Sequence, residues 1–187
     1  YWHVPSAWAA FIAFAVLFVG SALWFFKRSP LGWKLHIAGS EAGLACGLMA
    51  VWSGCVWGAA EWGTPWDWED YRLNTFGLLT LLALFLVLGR QSQPDGVESR
   101  DTFSTFGLYG FVLVPITYIA TRIWVIRHPG PVIAGDDDSS ISGDMALVLI
   151  IGAISFTILI IGHIMTSIQI TRFEQRIDRI QRKLDGD

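Results

Sequence analysis

Five apolar runs leave this chain few ways to fold: residues 8–26, 35–57, 74–89, 103–124 and 145–168. A helix rising 1.5 Å per residue needs about 20 apolar residues to cross a hydrocarbon layer roughly 30 Å thick, and four of the five runs meet that directly. The third becomes long enough when residues 71–73 join it, or when its helix tilts. Strands of a transmembrane barrel alternate in polarity at every second residue, whereas LLTLLALFLVL and ALVLIIGAISFTILIIG do not alternate. Only 16% of the 187 residues are charged, against about 25% in an ordinary soluble domain. The chain therefore reads as an all-α polytopic membrane protein with five transmembrane helices.

Orientation follows from Lys and Arg, which accumulate in cytoplasmic connections. An N-terminus outside puts ten of the thirteen Lys and Arg in the cytoplasm and leaves Arg72, Arg122 and Arg127 outside. Five spans then carry the C-terminus to the cytoplasm. The two long outer connections are 58–73 and 126–144, and the chemistry is expected there. Tyr rather than Met at position 1, close before the first apolar run, suggests that a segment precedes the numbering. A GxxxxGK[ST] phosphate loop is missing from the sequence, so any use of ATP is expected to come from a partner. No CxxCH occurs either, which argues against covalently attached heme. Cys46 and Cys55 are nine residues apart on one expected helix, hence on opposite faces and poor disulfide partners.

Tryptophan is the next signal. Trp52, Trp57, Trp62, Trp66 and Trp68 fall within seventeen residues. An interfacial belt populates both membrane surfaces, but the expected topology puts only Trp24 and Trp33 near the inner one. An outer aromatic platform describes this distribution better. In EWGTPWDWEDYRL the indoles alternate with Glu61, Asp67, Glu69, Asp70 and Arg72, so a flat apolar ligand with a charged edge, such as heme, is suited to it. Pro65 leaves either a helix start or a break open between Trp62 and Trp66. Heme iron takes neutral imidazole as an axial ligand. His3 heads the first span and His128 follows the fourth, so topology brings both to the outer surface although they are 125 residues apart. Two surface histidines at helix ends are the simpler alternative.

These segments resemble a known family, the heme exporter protein C (CcmC) family of cytochrome c maturation, which carries a tryptophan-rich "WWD" motif. HVPSAW at 3–8 is similar to the family's HVPAAW opening, WGTPWDWEDYRL at 62–73 to its WGTWWVWDARL segment, and the block from Gly107 through RIWVIRHPGP to its penultimate span and second histidine. The resemblance implies a transmembrane heme-handling domain over 1–170, with outer loops 58–73 and 126–144, and a cytoplasmic amphipathic tail over 171–187. It implies His3 and His128 as axial iron ligands, Trp62, Trp66 and Trp68 beneath or beside the macrocycle, and a motif acid at Asp70 or Glu69. Pro65 stands where the family usually has Trp, and one residue is added before the Arg. Family members usually have six spans, the first preceding HVP.

The resemblance further implies a carrier rather than an enzyme. It would hold heme b non-covalently at the outer face of the cell membrane and pass it to a periplasmic-side heme chaperone (CcmE type). A small membrane subunit (CcmD type) and ABC-type subunits (CcmA and CcmB type) are the other implied partners, besides the bilayer; no nucleic acid is expected. Arg72, Arg122 and Arg127 are the outer cations available to heme propionates, with headgroup contact equally open for the last two.

His36 and His163 are expected toward the cytoplasmic side, where a second heme site is one reading and interhelical hydrogen bonding the simpler one. Glu41 is the acid inside a span, which marks a function or a partner. His36, five positions earlier, is poorly spaced to be that partner. Asp136, Asp137, Asp138 and Asp144 read as a solvated acidic loop. Ile170, Phe173, Ile177, Ile180 and Leu184 follow 3,4,3,4 spacing among basic residues, so a helix continuing the last span is expected. The rival functions are a b-type electron-transfer cytochrome, with histidine pairs buried in its spans, and a small-solute or proton transporter built on Glu41 and His36.

Overall fold

A computed structural model of the chain describes residues 1–123 and 141–185. Its elements are α1 (His3–Lys27), α2 (Pro30–Trp62), α3 (Tyr71–Ser92), α4 (Val97–Gly110), α5 (Leu113–Ile123) and α6 (Gly143–Asp185). The described residues hold no strand. Five helical segments are long and apolar enough to cross a membrane: α1, α2, α3, the pair α4–α5 as Val97–Ala120, and α6. The protein is thus a multi-pass membrane protein, with five spans among the described residues, as the apolar runs predict.

Local chemistry explains where the helices stop. Arg28 closes α1 in the left-handed region (φ 53°), and Ser29 caps α2 by accepting from the Gly32 N–H at 3.3 Å, with Pro30 in the first helical position. Gly63, at φ 73°, ends α2, and the helix takes in residues 58–62 that the sequence assigns to the outer connection. The carboxylate of Asp70 caps α3 by accepting from the N–H groups of Arg72 and Leu73 at 3.0 and 3.3 Å. The non-helical part of that connection is therefore residues 63–70. The fourth span breaks at residues 111–112, and Pro115 sits in the first turn of α5, where its missing N–H costs no helical bond.

Helices α1 and α2 form the central hairpin. Glycines set their shared seam: Gly20 meets Gly32 and the His36 backbone, Gly39 meets the Leu17 backbone and Gly43 makes room for the Phe14 ring, with Ala9, Ala13 and Ala42 buried nearby in the core. A Cβ added at Gly39 would stand 2.7 Å from Leu17 Cα, and one at Gly32 would stand 2.6 Å from the Trp24 backbone nitrogen. Close backbone approach of this kind drives helix association where lipid tails are as apolar as the side chains. Leu79, Ala83 and Leu86 of α3, Phe103 of α4 and Ile160 of α6 complete the core around Phe14 and Leu17.

At the end of the bundle marked by the α1–α2 turn, charged groups are matched across helices. Asp101 of α4 pairs with Arg28 and accepts from Trp24 Nε1 at 3.0 Å, and the Arg100 guanidinium lies 5.0 Å from the Trp24 ring and 5.5 Å from the Trp33 ring. Glu41 has partners on two other helices: Arg90 Nη2 of α3 donates to Oε1 and Ser167 Oγ of α6 to Oε2, both at 2.7 Å. Removing only the cation would leave a carboxylate unpaired within the span. Arg90→Leu should lower stability by roughly 1–3 kcal/mol, less than for a fully buried pair because both side chains keep some exposure. Adding Glu41→Gln to Arg90→Leu should recover most of that loss, as read by thermal unfolding in detergent.

Candidate functional site

The starts of α1, α3 and α6 and the ends of α2 and α5 meet at the opposite end of the bundle. There, parts of α1, α2, α3, α5 and the 63–70 connection enclose a partly open, mostly apolar cavity of about 240 Å³. Its walls include His3, Phe11, Trp57, Trp62, Trp66 and Phe76, with Arg72, Cys55 and Thr117 as the polar contributors.

His3 is set by α2. Its Nδ1 lies 3.0 Å from the Ala50 carbonyl oxygen and 3.2 Å from Ser53 Oγ. A carbonyl only accepts, and the Ser53 hydroxyl proton is directed to the Met49 carbonyl at 2.7 Å. Nδ1 therefore carries the ring proton, and Nε2 keeps a free lone pair. This is the tautomer a metal-binding imidazole adopts when a backbone carbonyl orients it. Gly54 gives the ring its room: a Cβ there would stand 2.9 Å from His3 Cε1. The Trp57 indole runs alongside, 6.4 Å between centroids at 27°.

The indoles form two edge-on pairs. Trp57 and Trp62 are 4.9 Å apart at 65°, and Trp66 and Trp68 are 5.8 Å apart at 61°. Asn74, in the first turn of α3, anchors the second pair. Its Oδ1 accepts from Trp66 Nε1 at 3.2 Å and its Nδ2 donates to the Trp68 carbonyl at 2.7 Å. The Trp66 ring packs against α3, where Gly77 leaves space for its edge. Trp68 points away from the cavity and is 81% exposed.

Asp70 does two jobs. Besides capping α3, its Oδ2 accepts from Arg72 Nη2 at 2.9 Å, with both side chains only 12% exposed. Arg72 thus lines the cavity with its cation already positioned, and Asp70 stands behind it. Glu69, the alternative motif acid, is exposed. Thr117 on α5 donates to Thr75 Oγ1 at 2.8 Å and ties the cavity wall to α3.

Of the residues the sequence singles out, His3, Trp62, Trp66 and Arg72 come together at one cavity, with Asp70 and Trp68 adjoining it. His128, Arg127, the Arg122 side chain and the 136–138 acidic run lie outside the described residues. Sequence reasoning did not single out Ala50, Ser53, Gly54, Asn74 or Thr117. Only Ser53 and Gly54, small residues set among tryptophans, offered a signal.

The other two histidines form no second site. His36 is fully buried; its Nδ1 is 2.9 Å from Ser21 Oγ and its ring stacks on Trp33 at 4.8 Å and 11°. His163 is exposed on α6. Both cysteines are free thiols, Cys46 buried in the core and Cys55 at the cavity wall.

Because Gly54 makes room for the imidazole, Gly54→Ala should push His3 away from the Ala50 carbonyl, whereas Ser53→Ala should leave that bond in place. Side-chain ¹⁵N shifts of His3 should then report a protonated Nδ1 in the wild type and in Ser53→Ala, and a mixed tautomer in Gly54→Ala.

A family model described as heme exporter protein C matches residues 1–183. The heme exporter protein C of Bradyrhizobium diazoefficiens is 26% identical over 179 residues, covering 96% of this chain and 68% of that relative. Its counterpart in Rhodobacter capsulatus is 26% identical over 186 residues, 97% of this chain and 74% of the relative. A cytochrome c biogenesis protein CcsA from Arabis hirsuta is 29% identical over 75 residues, 40% of this chain and 22% of that protein.

Proposed function

The chain belongs to the heme exporter protein C family, and from that premise we propose that it holds heme at the His3 end of the bundle, on the extracytoplasmic side, and passes it to a heme chaperone. The observation that carries this reading is the His3 imidazole. Its proton is committed to the Ala50 carbonyl, and its Nε2 lone pair is free at the wall of an apolar, indole-lined cavity. His128 supplies the second axial imidazole in this proposal.

The size of the cavity argues for a transferable cargo. At about 240 Å³ it falls just below the range of about 300–1,000 Å³ that encloses a drug-sized ligand. It suits one edge of a macrocycle, with the remainder lying on the Trp62, Trp66 and Trp68 indoles. A ligand left partly uncovered is open to a recipient protein, and the bond to each imidazole is exchangeable, so release requires no covalent step. Arg72, already oriented by Asp70, keeps guanidinium N–H groups for a heme propionate. The heme is b-type and non-covalent in this account.

Charge supports the orientation. Arg72 is the cation at the cavity end among the described side chains, whereas Lys27, Arg28, Lys34, Arg90, Arg100 and the basic tail lie toward the other end. Partners proposed on the family's account are the heme chaperone, a small membrane subunit, and ABC-type subunits that supply ATP hydrolysis. The rival functions lose their candidate residues. His36 is packed on Trp33 and His163 faces outward, so they form no buried ligand pair, and Glu41 is already paired with Arg90 and Ser167.

Purified protein loaded with heme should show a low-spin absorption spectrum. His3→Ala and His128→Ala should each reduce heme retention about tenfold or more and slow its delivery, a loss at least as large as a changed orienting partner typically causes at a metal site. Unchanged spectra and delivery in both variants would remove the ligand pair. Separately, Arg72→Leu should abolish the preference for heme over its dimethyl ester, while Asp70→Asn, which retains a good helix cap, should preserve that preference. Competition binding measured by absorption checks both.

A further inference from the structure

Helix α6 runs unbroken for 43 residues, about 64 Å at 1.5 Å per residue, twice the depth of the hydrocarbon layer. Its last turns therefore stand clear of the membrane. No Gly or Pro occurs between Ser167 and Asp185 to turn the helix onto the bilayer surface. Yet Ile170, Phe173, Ile177, Ile180 and Leu184 form one apolar stripe there, each more than half exposed. An apolar stripe standing in water marks an interaction surface.

The charges identify its partner. Arg172, Arg176, Arg179 and Lys183 follow 4,3,4 spacing, a second stripe roughly 110° around the helix from the apolar one at 100° per residue. Lys34, in the second turn of α2, also feels the positive field of Arg172 and Arg179. None of these five cations is in an ion pair with a described residue. The tail's own acids, Glu174, Asp178 and Asp185, lie roughly 150° around the helix from the basic stripe, so like charges gathered from two helices face outward together and suit an anionic surface.

From this we propose that residues 170–185 of α6 dock into an apolar groove with an acidic rim on a cytoplasmic partner protein. A lipid headgroup layer reaches only the membrane-proximal cations, because the basic stripe climbs about 16 Å along the helix from Arg172 to Lys183. A second copy of this chain enters the membrane in the same direction and so presents its tail in parallel. The residues flanking the apolar seam would then set Gln169 against Glu174 and Arg176 against Gln181, with no pair of opposite charges. A groove lined by acids satisfies the cations and the apolar stripe together, in the manner of an amphipathic helix recognised by its anchors.

The test is photo-cross-linking in the native membrane with the full chain, a benzophenone amino acid replacing Ile177 or Ile180, and Gln175 on another face as control. The expected result is an adduct with a protein at Ile177 and Ile180 and not at Gln175. Combining the probe with Arg176→Glu and Arg179→Glu should cut the adduct yield about tenfold, equivalent to about 1.4 kcal/mol. Lysines in place of acids next to the cross-linked site of the partner should restore it. Thermal unfolding in detergent should match between probe-bearing chains with and without the two glutamates. Adducts confined to lipid or to a second copy, no adduct from a chain that unfolds normally, or a yield indifferent to charge reversal would each overturn the proposal.

Discussion

The seam between α1 and α2 is the contact on which the rest depends. Gly20 against Gly32, and Gly39 against Leu17, bring two backbones so close that a single added Cβ collides with the opposite helix. Lipid supplies no hydrophobic drive for helices to associate, so steric fit of this kind sets their register. Here it sets His3, the first residue of α1, beside Ala50 and Ser53 near the far end of α2. The imidazole then donates to a carbonyl 47 residues away, and its tautomer follows from that bond alone. The seam's packing is thereby converted into the chemistry of one nitrogen atom.

The two ends of the bundle treat polarity differently. Toward the α1–α2 turn, Glu41, Arg90, Ser167, Asp101, Arg28 and the Trp24 N–H are matched across five of the helices, which lets charged groups sit in or near the spans. At the cavity end, the polar groups are oriented but left with capacity. His3 retains Nε2, and Arg72 retains donors beyond the one that Asp70 takes. Indoles supply the remaining surface, with Asn74 fixing Trp66 and the loop backbone at Trp68 from below. Rigid supports beneath exchangeable contacts are what a carrier of a flat, dianionic cargo needs.

Much of this was legible in the sequence because membrane spans announce themselves by length and composition. The five apolar runs became five spans, and the 3,4 spacing after Ile170 became a continuation of α6. Helix ends were less legible: Gly63 rather than residue 57 stops α2, since residues 58–62 extend the helix by little more than one turn without extending the apolar run. Contacts distant in sequence were not legible at all. Glu41 finds its partners 49 and 126 residues away, whereas a search along its own helix reaches only His36, which is committed to Ser21. The tryptophans that proximity in sequence groups together differ in exposure, which spacing did not show: Trp62 and Trp66 line the cavity, and Trp68 lies beside it at 81% exposure.

Hyperfine spectroscopy of ferric heme on the full chain, with histidine nitrogens labelled ¹⁵N, addresses the His3 imidazole most directly. Two strongly coupled imidazole nitrogens should appear in the wild type, and one should vanish when Gln replaces His3 while the other stays. Both couplings persisting without His3 would mean that the nitrogen left free by Ala50 is not what grips the iron.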